Sequence, residues 1–272
     1  MRYQSKSSIA YMFRNFWQLA PIAVFAAVLF AFFDNTTAQI DFIRRYLDGG
    51  INSDNILQEI LNTVSVLRFG KYWWGEIIAV AVLVVVQSLL MVKVAQHMRI
   101  GKMDFLPIKR ASAVMPTMLL FVLCVALLAE ILNMIIVGIA FLLSAAHEIL
   151  LIVLTSVLVY LLQTLVTFGV GMLLFAFPIM FLENYSFNLA LSYSVRLMNE
   201  NRKKLLLSAA TYPFVRFVLT VVCGLVNVPA VTVALFAVVY LLCIVWLPCV
   251  TFKLYYDSVG GERRDLTRVM FR

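Results

Sequence analysis

Two ionisable residues lie inside long apolar runs of the sequence, where a charge needs a partner. Arg216 is about eleven residues into the run 205–226, about 17 Å deep by the rise of an α-helix, and Glu130 is about 21 Å along the run from Pro116. Insertion scales assign about 2.5–3.5 kcal/mol to an arginine at the centre of a membrane helix. Glu130 and Arg216 are therefore a candidate intramembrane polar pair, and its functional interpretation is a polar relay or a ligand clamp.

The pair also has structural interpretations. If the run that holds Glu130 begins at Ala111, the difference in depth grows to about 11 Å and the pairing weakens. An ion pair can serve stability alone, and Arg216 can also extend its side chain to the headgroups while Glu130 lies at the outer rim. The sequence leaves these alternatives open.

The other reactive side chains do not combine into a catalytic or metal-binding pattern. His97 and His147 are assigned to opposite sides of the membrane, and His147 with Glu148 lacks the third group that orients a base. The four cysteines lie within apolar runs and form no CxxC pair. We therefore expect no catalytic residue, no cofactor and no metal, and we predict that the chain is not an enzyme.

The composition requires lipid rather than water around most of the chain. Of the 272 residues, 63% are hydrophobic and 13% are charged, and the mean hydropathy is +0.96. Soluble domains use about 45–50% apolar and about 25% charged residues. The sequence therefore predicts an all-α fold, a polytopic membrane helix bundle that forms one integral membrane domain over residues 1–272.

Six runs are long enough to cross a hydrocarbon core, for which about 20 apolar residues suffice. The uncharged or nearly uncharged stretches 111–146 and 149–182 are longer than that, so their helices must tilt, break or project from the bilayer. The alternation of span pairs with polar segments predicts three helical hairpins. The predicted spans are 15–33, 74–93, 111–133, 150–176, 205–226 and 230–252.

The distribution of cations predicts the orientation. The connections on one side carry 17 Lys and Arg residues, and those on the other side carry 4. Because positive residues near spans are retained in the cytoplasm, we expect both termini to be cytoplasmic, with the chain in the plasma membrane of a bacterium. The net charge of +8 then reflects topology and attraction to anionic headgroups, so we expect membrane lipids as partners and no nucleic acid.

Two segments outside the spans have an amphipathic helical pattern. The segment 186–200 predicts a helix on the cytoplasmic interface of the membrane. The segment 53–68, capped by Ser53 and Asp54, is predicted on the outer side, as a lid over the bundle or as a helix that rests on lipid. The apolar face predicted for 186–200 consists of Phe187, Ala190, Leu191, Val195 and Met198.

Two stretches of the sequence resemble a known family. FAFPIMFLEN at 175–184, continued by ALSYSVRL at 190–197, resembles a segment of integral membrane domains related to the membrane domain of glycerophosphodiester phosphodiesterases. LYYD at 254–257 and ERRDL at 262–266 are similar to the tail of that group. The resemblance implies a six-span architecture and no reaction, because in that family hydrolysis belongs to a separate soluble barrel domain.

The same stretches contain a candidate cytoplasmic interface motif. Pro178 removes a backbone donor near the end of the fourth span, which predicts a kink or an exit of the chain there. Glu183 then lies near the start of the interfacial helix, where the helix dipole favours an acid. Arg196, Tyr256 and Asp257 complete the motif, and its alternative interpretation is a set of helix-boundary residues.

These observations predict a non-catalytic six-span membrane protein that binds lipid or amphipathic molecules, or that acts as a membrane scaffold. The alternative is a transporter or a permease subunit that works with a partner ATPase. A lipid-modifying enzyme is the third hypothesis. Beyond lipid, the expected partners are a second copy of the chain or another protein of a membrane complex.

Overall fold

The computed structural model describes residues 8–33, 40–42, 44–45, 48, 73–103, 107–143, 148–183, 185–198, 202–226 and 228–260. All regular secondary structure in these residues is helical, which confirms the all-helical part of the prediction. The predicted outer helix 53–68 lies outside them. The main helices are α1 (Ser8–Arg14), α2 (Phe16–Phe33), α3 (Trp73–Ile100), α4 (Ile108–Leu143), α5 (Glu148–Leu174), α6 (Ala176–Glu183), α7 (Phe187–Met198), α8 (Arg202–Val226) and α9 (Pro229–Val259).

Five stretches of the described chain are helical, long and apolar enough to cross a membrane. The predicted span 205–226 corresponds to α8, whose apolar stretch Pro213–Cys223 is shorter than the other five. The five stretches are Phe16–Phe33, Ile77–Ile100, Ile108–Ile139, Ser156–Glu183 and Ala230–Val259.

Helix α3 occupies the centre of the bundle. Its stretch 86–96 is buried on every side, because α2, α4, α6 and α9 all pack against this helix. A helix that is enclosed around its whole circumference normally carries apolar residues throughout. Helix α3 departs from this rule, because Gln87, Ser88, Lys93 and Gln96 lie in the enclosed stretch.

The tightest helix pair is formed by the first and the last long helices of the chain. Ala23, Ala26 and Ala27 of α2 are buried where this helix packs against α9 and α3, and such small side chains let helix backbones approach closely. In α9, no residue of the stretch 239–256 is exposed. The second half of α9 is therefore part of the interior, together with α3.

Helix α8 lies at the periphery of the bundle. It packs chiefly against α5, whereas α9, which follows it directly, packs against α1, α2 and α3. The pairing of α2 with α3 and of α4 with α5 agrees with the predicted hairpins, but α8 and α9 do not form a comparable packed pair among the described residues. The two helices diverge because each has a larger interface elsewhere.

The fourth predicted span is broken into two helices. Helix α5 ends at Leu174, Phe175 forms a turn, and α6 begins at Ala176. Pro178 explains this break, because it has no N–H to donate to the carbonyl of Leu174 one turn earlier, and because proline is tolerated in the first turn of a new helix. The helix is therefore interrupted at Phe175, and the chain continues as α6 to Glu183.

The interfacial helix α7 directs most of its predicted apolar face into the bundle. Phe187, Ala190 and Leu191 of that face lie inward, together with Ser194, which has no exposed surface. Val195 of the same face is 40% exposed. The inner side of α7 is the side that contacts α5 and α6.

Candidate functional site

Polar side chains from four helices meet at one end of the bundle. This end, called here the basal end, is formed by α1 together with the last turns of α3, α6 and α9. The hydroxyl oxygen of Tyr11 lies 2.7 Å from Nδ1 of His97, which joins α1 to α3 through a hydrogen bond. The hydroxyl of Tyr255 donates to Oε1 of Glu183 at 2.7 Å, which joins α9 to α6.

The contact between Tyr255 and Glu183 connects the two stretches on which the family resemblance depends. Next to it, the rings of Phe181 and Phe252 pack with their centroids 6.1 Å apart. Tyr255 is 4% exposed, whereas Glu183 is at the surface, so the buried hydroxyl reaches outward to the carboxylate. The two residues of this contact are 72 positions apart in the sequence, and the contact joins their segments into one structural unit.

The remaining residues of the predicted motif, Tyr256, Asp257 and Arg196, differ in burial and in their contacts. Tyr256 is buried, and its ring lies edge-on to Tyr255 with the centroids 5.8 Å apart. Asp257 accepts a hydrogen bond at 3.0 Å from Nζ of Lys253, one turn earlier on α9. Arg196 is exposed on the outer face of α7. The motif is therefore partly an internal contact and partly a surface feature.

Gln87 on the central helix donates from Nε2 to the carbonyl oxygen of Ile244 on α9, at 3.2 Å. That carbonyl has no helical donor, because the residue four positions later is Pro248. A side chain of α3 thus supplies the hydrogen bond that a proline removed from α9. Kinked membrane helices are tolerated when neighbouring groups satisfy the freed backbone in this way.

Lys93 makes a related contact with α2. Its Nζ donates to the carbonyl oxygen of Gln18 at 2.9 Å, in the turn that precedes Pro21. Lys93 is 4% exposed, although it lies within a candidate membrane span. A buried cation in a membrane helix is costly unless backbone carbonyls or acids surround it. The hydrogen bond to Gln18 reduces this cost for Lys93 and joins α3 to α2.

A further side-chain hydrogen bond joins two helices on the periphery. The hydroxyl of Tyr160 on α5 donates to the carbonyl oxygen of Ala210 on α8 at 3.4 Å, in the turn before Pro213. Of the three contacts, the one from Gln87 replaces a hydrogen bond that a proline removes, because Gln18 and Ala210 lie three rather than four residues before Pro21 and Pro213. The other two contacts join neighbouring helices close to a proline.

Two amide oxygens of the central helix are buried acceptors. Oε1 of Gln87 and Oε1 of Gln96 have no hydrogen-bond partner among the described residues, and the two side chains belong to residues that are 5% and 8% exposed. Buried acceptors normally have a protein or water partner. These atoms therefore mark places where a bound donor would be stabilised.

The predicted intramembrane pair lies away from the central helix. Arg216 is on the buried face of α8 with Pro213, Thr220 and Cys223, the face that packs against α5. Glu130 is half-buried on α4. Helix α5 packs against both α4 and α8, so Glu130 and Arg216 belong to two neighbours of one helix, and the ion pair between them stays a prediction.

The parts of this site that the sequence reasoning missed are on α3. Gln87, Lys93 and Gln96 are polar residues within an apolar run, and this signal is visible in the sequence. The partners of Gln87 and Lys93 are backbone carbonyls in the turns before prolines, which pattern analysis does not pair. Among the residues described, no group of three or more His, Cys, Asp or Glu side chains is arranged to hold a metal ion.

No family model, curated protein or solved structure matches this chain. The resemblance to the membrane domain of glycerophosphodiester phosphodiesterases thus stays a prediction. The class supported by the fold is an all-helical protein with several helices suited to a membrane.

Proposed function

We propose that the chain is a non-catalytic six-span protein of the plasma membrane, with both termini in the cytoplasm, that binds the acyl chains of lipids or other amphipathic molecules and acts as a membrane scaffold. The observation that carries this proposal is the divergence of α8 from α9. These helices are joined by a short connection, yet each packs against different neighbours.

The path of the chain supports six crossings. Helix α7 follows α6, whose last residue Glu183 is at the basal end, and the last turns of α9 are at the same end. Helix α9 is 31 residues long, which places its start about 45 Å from its end. Helix α8 runs from α7 to the start of α9, so it has to cross most of that distance despite its shorter apolar stretch.

The apolar surface near the connection supports acyl-chain binding. In its first half, α9 leaves a stripe of Val231, Leu235 and Val238 uncovered, with Val238 55% exposed. Helix α8 leaves Val222 and Leu225 uncovered near the same connection. In a bilayer, apolar faces between diverging helices are filled by acyl chains, because neither water nor protein covers them.

The proposal is tested by counting the phospholipids that stay bound to the purified protein in native mass spectrometry. Leu235→Trp and Val238→Trp fill the space beside α9, and we expect each to reduce the number of retained lipids by about half. The matched control is Leu120→Trp, on the outer face of α4, where the side chain is 56% exposed, close to the 55% of Val238. Equal retention in all three variants would contradict the proposal.

The alternative function is a transporter or a permease subunit that works with a partner ATPase. The break at Phe175 favours it, because discontinuous membrane helices are typical of substrate sites in transporters. Substrate flux into proteoliposomes that contain only this chain tests for a carrier, and co-purification of an ATPase tests for a permease. Loss of flux in a well-folded Arg216→Leu, Glu130→Leu double variant would assign the relay role to that pair.

A further inference from the structure

The outer face of helix α7 combines apolar, aromatic and cationic side chains. The most apolar face of this helix is directed into the bundle, so a different set of side chains is left for the surroundings. Leu189 is 54% exposed and Tyr193 is 46% exposed, and Arg196 is exposed three residues further along the same face. Residues at these intervals of three and four positions are neighbours on a helix surface.

Two tyrosines extend this surface beyond the helix. The rings of Tyr185 and Tyr193 are stacked, with centroids 5.5 Å apart and an angle of 19° between the planes. Tyr185 precedes α7 and is 42% exposed. Tyrosine is enriched at the level of membrane headgroups, where one part of the ring contacts acyl chains and the hydroxyl contacts polar groups.

The charges around α7 are complementary to an anion. The basal end, together with α7 and the described residues that lead into α4, carries six exposed cations, whereas the exposed acids Glu183 and Asp257 are already hydrogen-bonded to Tyr255 and Lys253. Arginine binds phosphate oxygens through a planar set of donors. The six exposed cations are Arg14, Arg99, Lys102, Lys109, Arg110 and Arg196.

We propose that the surface formed by Tyr185, Leu189, Tyr193 and Arg196, called here the α7 surface, binds the headgroups of anionic phospholipids in the leaflet at the basal end. Arg196 contacts the phosphate, the stacked tyrosines lie at headgroup depth, and Leu189 enters the upper acyl region. This inference rests on the proposed function, because it requires the basal end to lie at a membrane surface, and it names the lipid class that this surface selects.

The test compares retention of phosphatidylglycerol by native mass spectrometry after reconstitution in nanodiscs of phosphatidylcholine with about 30% phosphatidylglycerol. We expect Arg196→Gln to weaken phosphatidylglycerol retention about fivefold, the factor that corresponds to about 1 kcal/mol per cation near an anionic surface. Arg196→Lys should keep most of the retention. Lys102→Gln, which removes an equal charge at the same end but outside α7, should have a smaller effect.

A second arm tests whether the acyl chains and the aromatic contacts are needed. Tyr193→Ala and Leu189→Gln should also reduce phosphatidylglycerol retention, and soluble glycerophosphate at millimolar concentration should not compete with it. If Arg196→Gln and Lys102→Gln had equal effects, the lipid would respond to total charge and the α7 surface would not be its site. Competition by glycerophosphate would indicate a site for free phosphate and would also overturn the inference.

The two proposals fail in different ways. Unchanged phosphatidylglycerol retention in the α7 variants, together with lipid loss in Leu235→Trp, would overturn only the inference about α7. Absence of retained lipid in the wild-type protein would contradict the proposed function itself. All variants of α7 change exposed side chains, and a single peak in size-exclusion chromatography verifies their folding.

Discussion

A proline inside a membrane helix leaves a carbonyl group without its helical donor, in a solvent that offers none. For Pro248 this deficit is met by a side chain of a neighbouring helix, in the contact between Gln87 and Ile244. Because Pro248 has no N–H, the carbonyl of Ile244 lacks its helical donor. The buried side-chain amide of Gln87 on α3 donates to this carbonyl instead. Gln87 on α3 therefore compensates for the hydrogen bond that Pro248 removes from α9.

This contact predicts that the effect of Gln87→Leu on the free energy of unfolding depends on whether Pro248 is present. Gln87→Leu should lower the free energy of unfolding by about 1 kcal/mol, a usual value for a hydrogen bond between membrane helices. In a Pro248→Ala background the cost should fall markedly, because the alanine N–H can donate to Ile244. Both values are measured by unfolding in mixed micelles with increasing dodecyl sulfate.

Ser88→Ala provides the control for this double-mutant cycle. Ser88 is buried next to Gln87, but its hydroxyl donates at 2.7 Å to the carbonyl of Val84 within α3. Its cost should therefore be the same with and without Pro248. An undiminished cost of Gln87→Leu in the Pro248→Ala background would show that the amide does not serve the kink.

The contact between Tyr255 and Glu183 supports a second prediction at the level of residues. Tyr255→Phe removes one hydroxyl and leaves the ring, so we expect a loss of about 0.5–1.5 kcal/mol in the free energy of unfolding. Glu183→Gln keeps an acceptor oxygen and should cost less. In the Tyr255→Phe background, Glu183→Leu should add little, and a full additional cost would mean that Glu183 stabilises the fold through some other contact.

The helices show which parts of the fold could be predicted from the sequence. Apolar runs indicate where helices lie, and each helix begins within three residues of the predicted span. Helices α3, α4 and α9 end seven to ten residues beyond the predicted ends, because a helix can continue past its apolar run. Packing partners could not be inferred in this way, because the central position of α3 depends on four neighbours at once. Likewise, the family resemblance selected Tyr256 for the site, whereas the helix register of α9 directs Tyr255 to Glu183.

The break between α5 and α6 gives a prediction at the level of elements. Pro178→Ala would let α5 continue past Phe175, which would draw α6 away from α3 and α9 and expose residues that are now buried, such as Phe177. We expect destabilisation by about 1–3 kcal/mol, in the range of other disruptions of packing. The distance between spin labels at positions 161 and 182 should increase, because a continuous helix is longer than a bent one.

Pro116→Ala is the matched control for this substitution. Pro116 is exposed and lies within the continuous helix α4, where alanine adds a backbone donor without changing the path of the chain. We expect this variant to be as stable as the wild type or more stable. If both substitutions changed stability in the same direction and by similar amounts, Pro178 would not be the cause of the break.

At the level of the whole molecule, the contacts at the basal end bring together the first helix and the last turns of the chain. Because α1 packs along α9 and Tyr11 contacts His97, the first described helix and the last share one end of the bundle. If the bundle spans a membrane, this arrangement predicts an even number of crossings between them. It agrees with the excess of cations in the connections that the sequence assigns to the cytoplasm.

The resulting topology predicts which positions are accessible from outside the cell. In a Cys124→Ser background, Val228→Cys, in the connection between α8 and α9, should react with a membrane-impermeant maleimide on intact cells. Ser5→Cys and Ser258→Cys should react only after permeabilisation, because both termini are expected in the cytoplasm. If Val228→Cys were protected on intact cells and reacted together with the two terminal positions, α8 would not cross the membrane. Labelling of the two termini from opposite sides would contradict the even number of crossings, and with it the position of the α7 surface on the cytoplasmic leaflet.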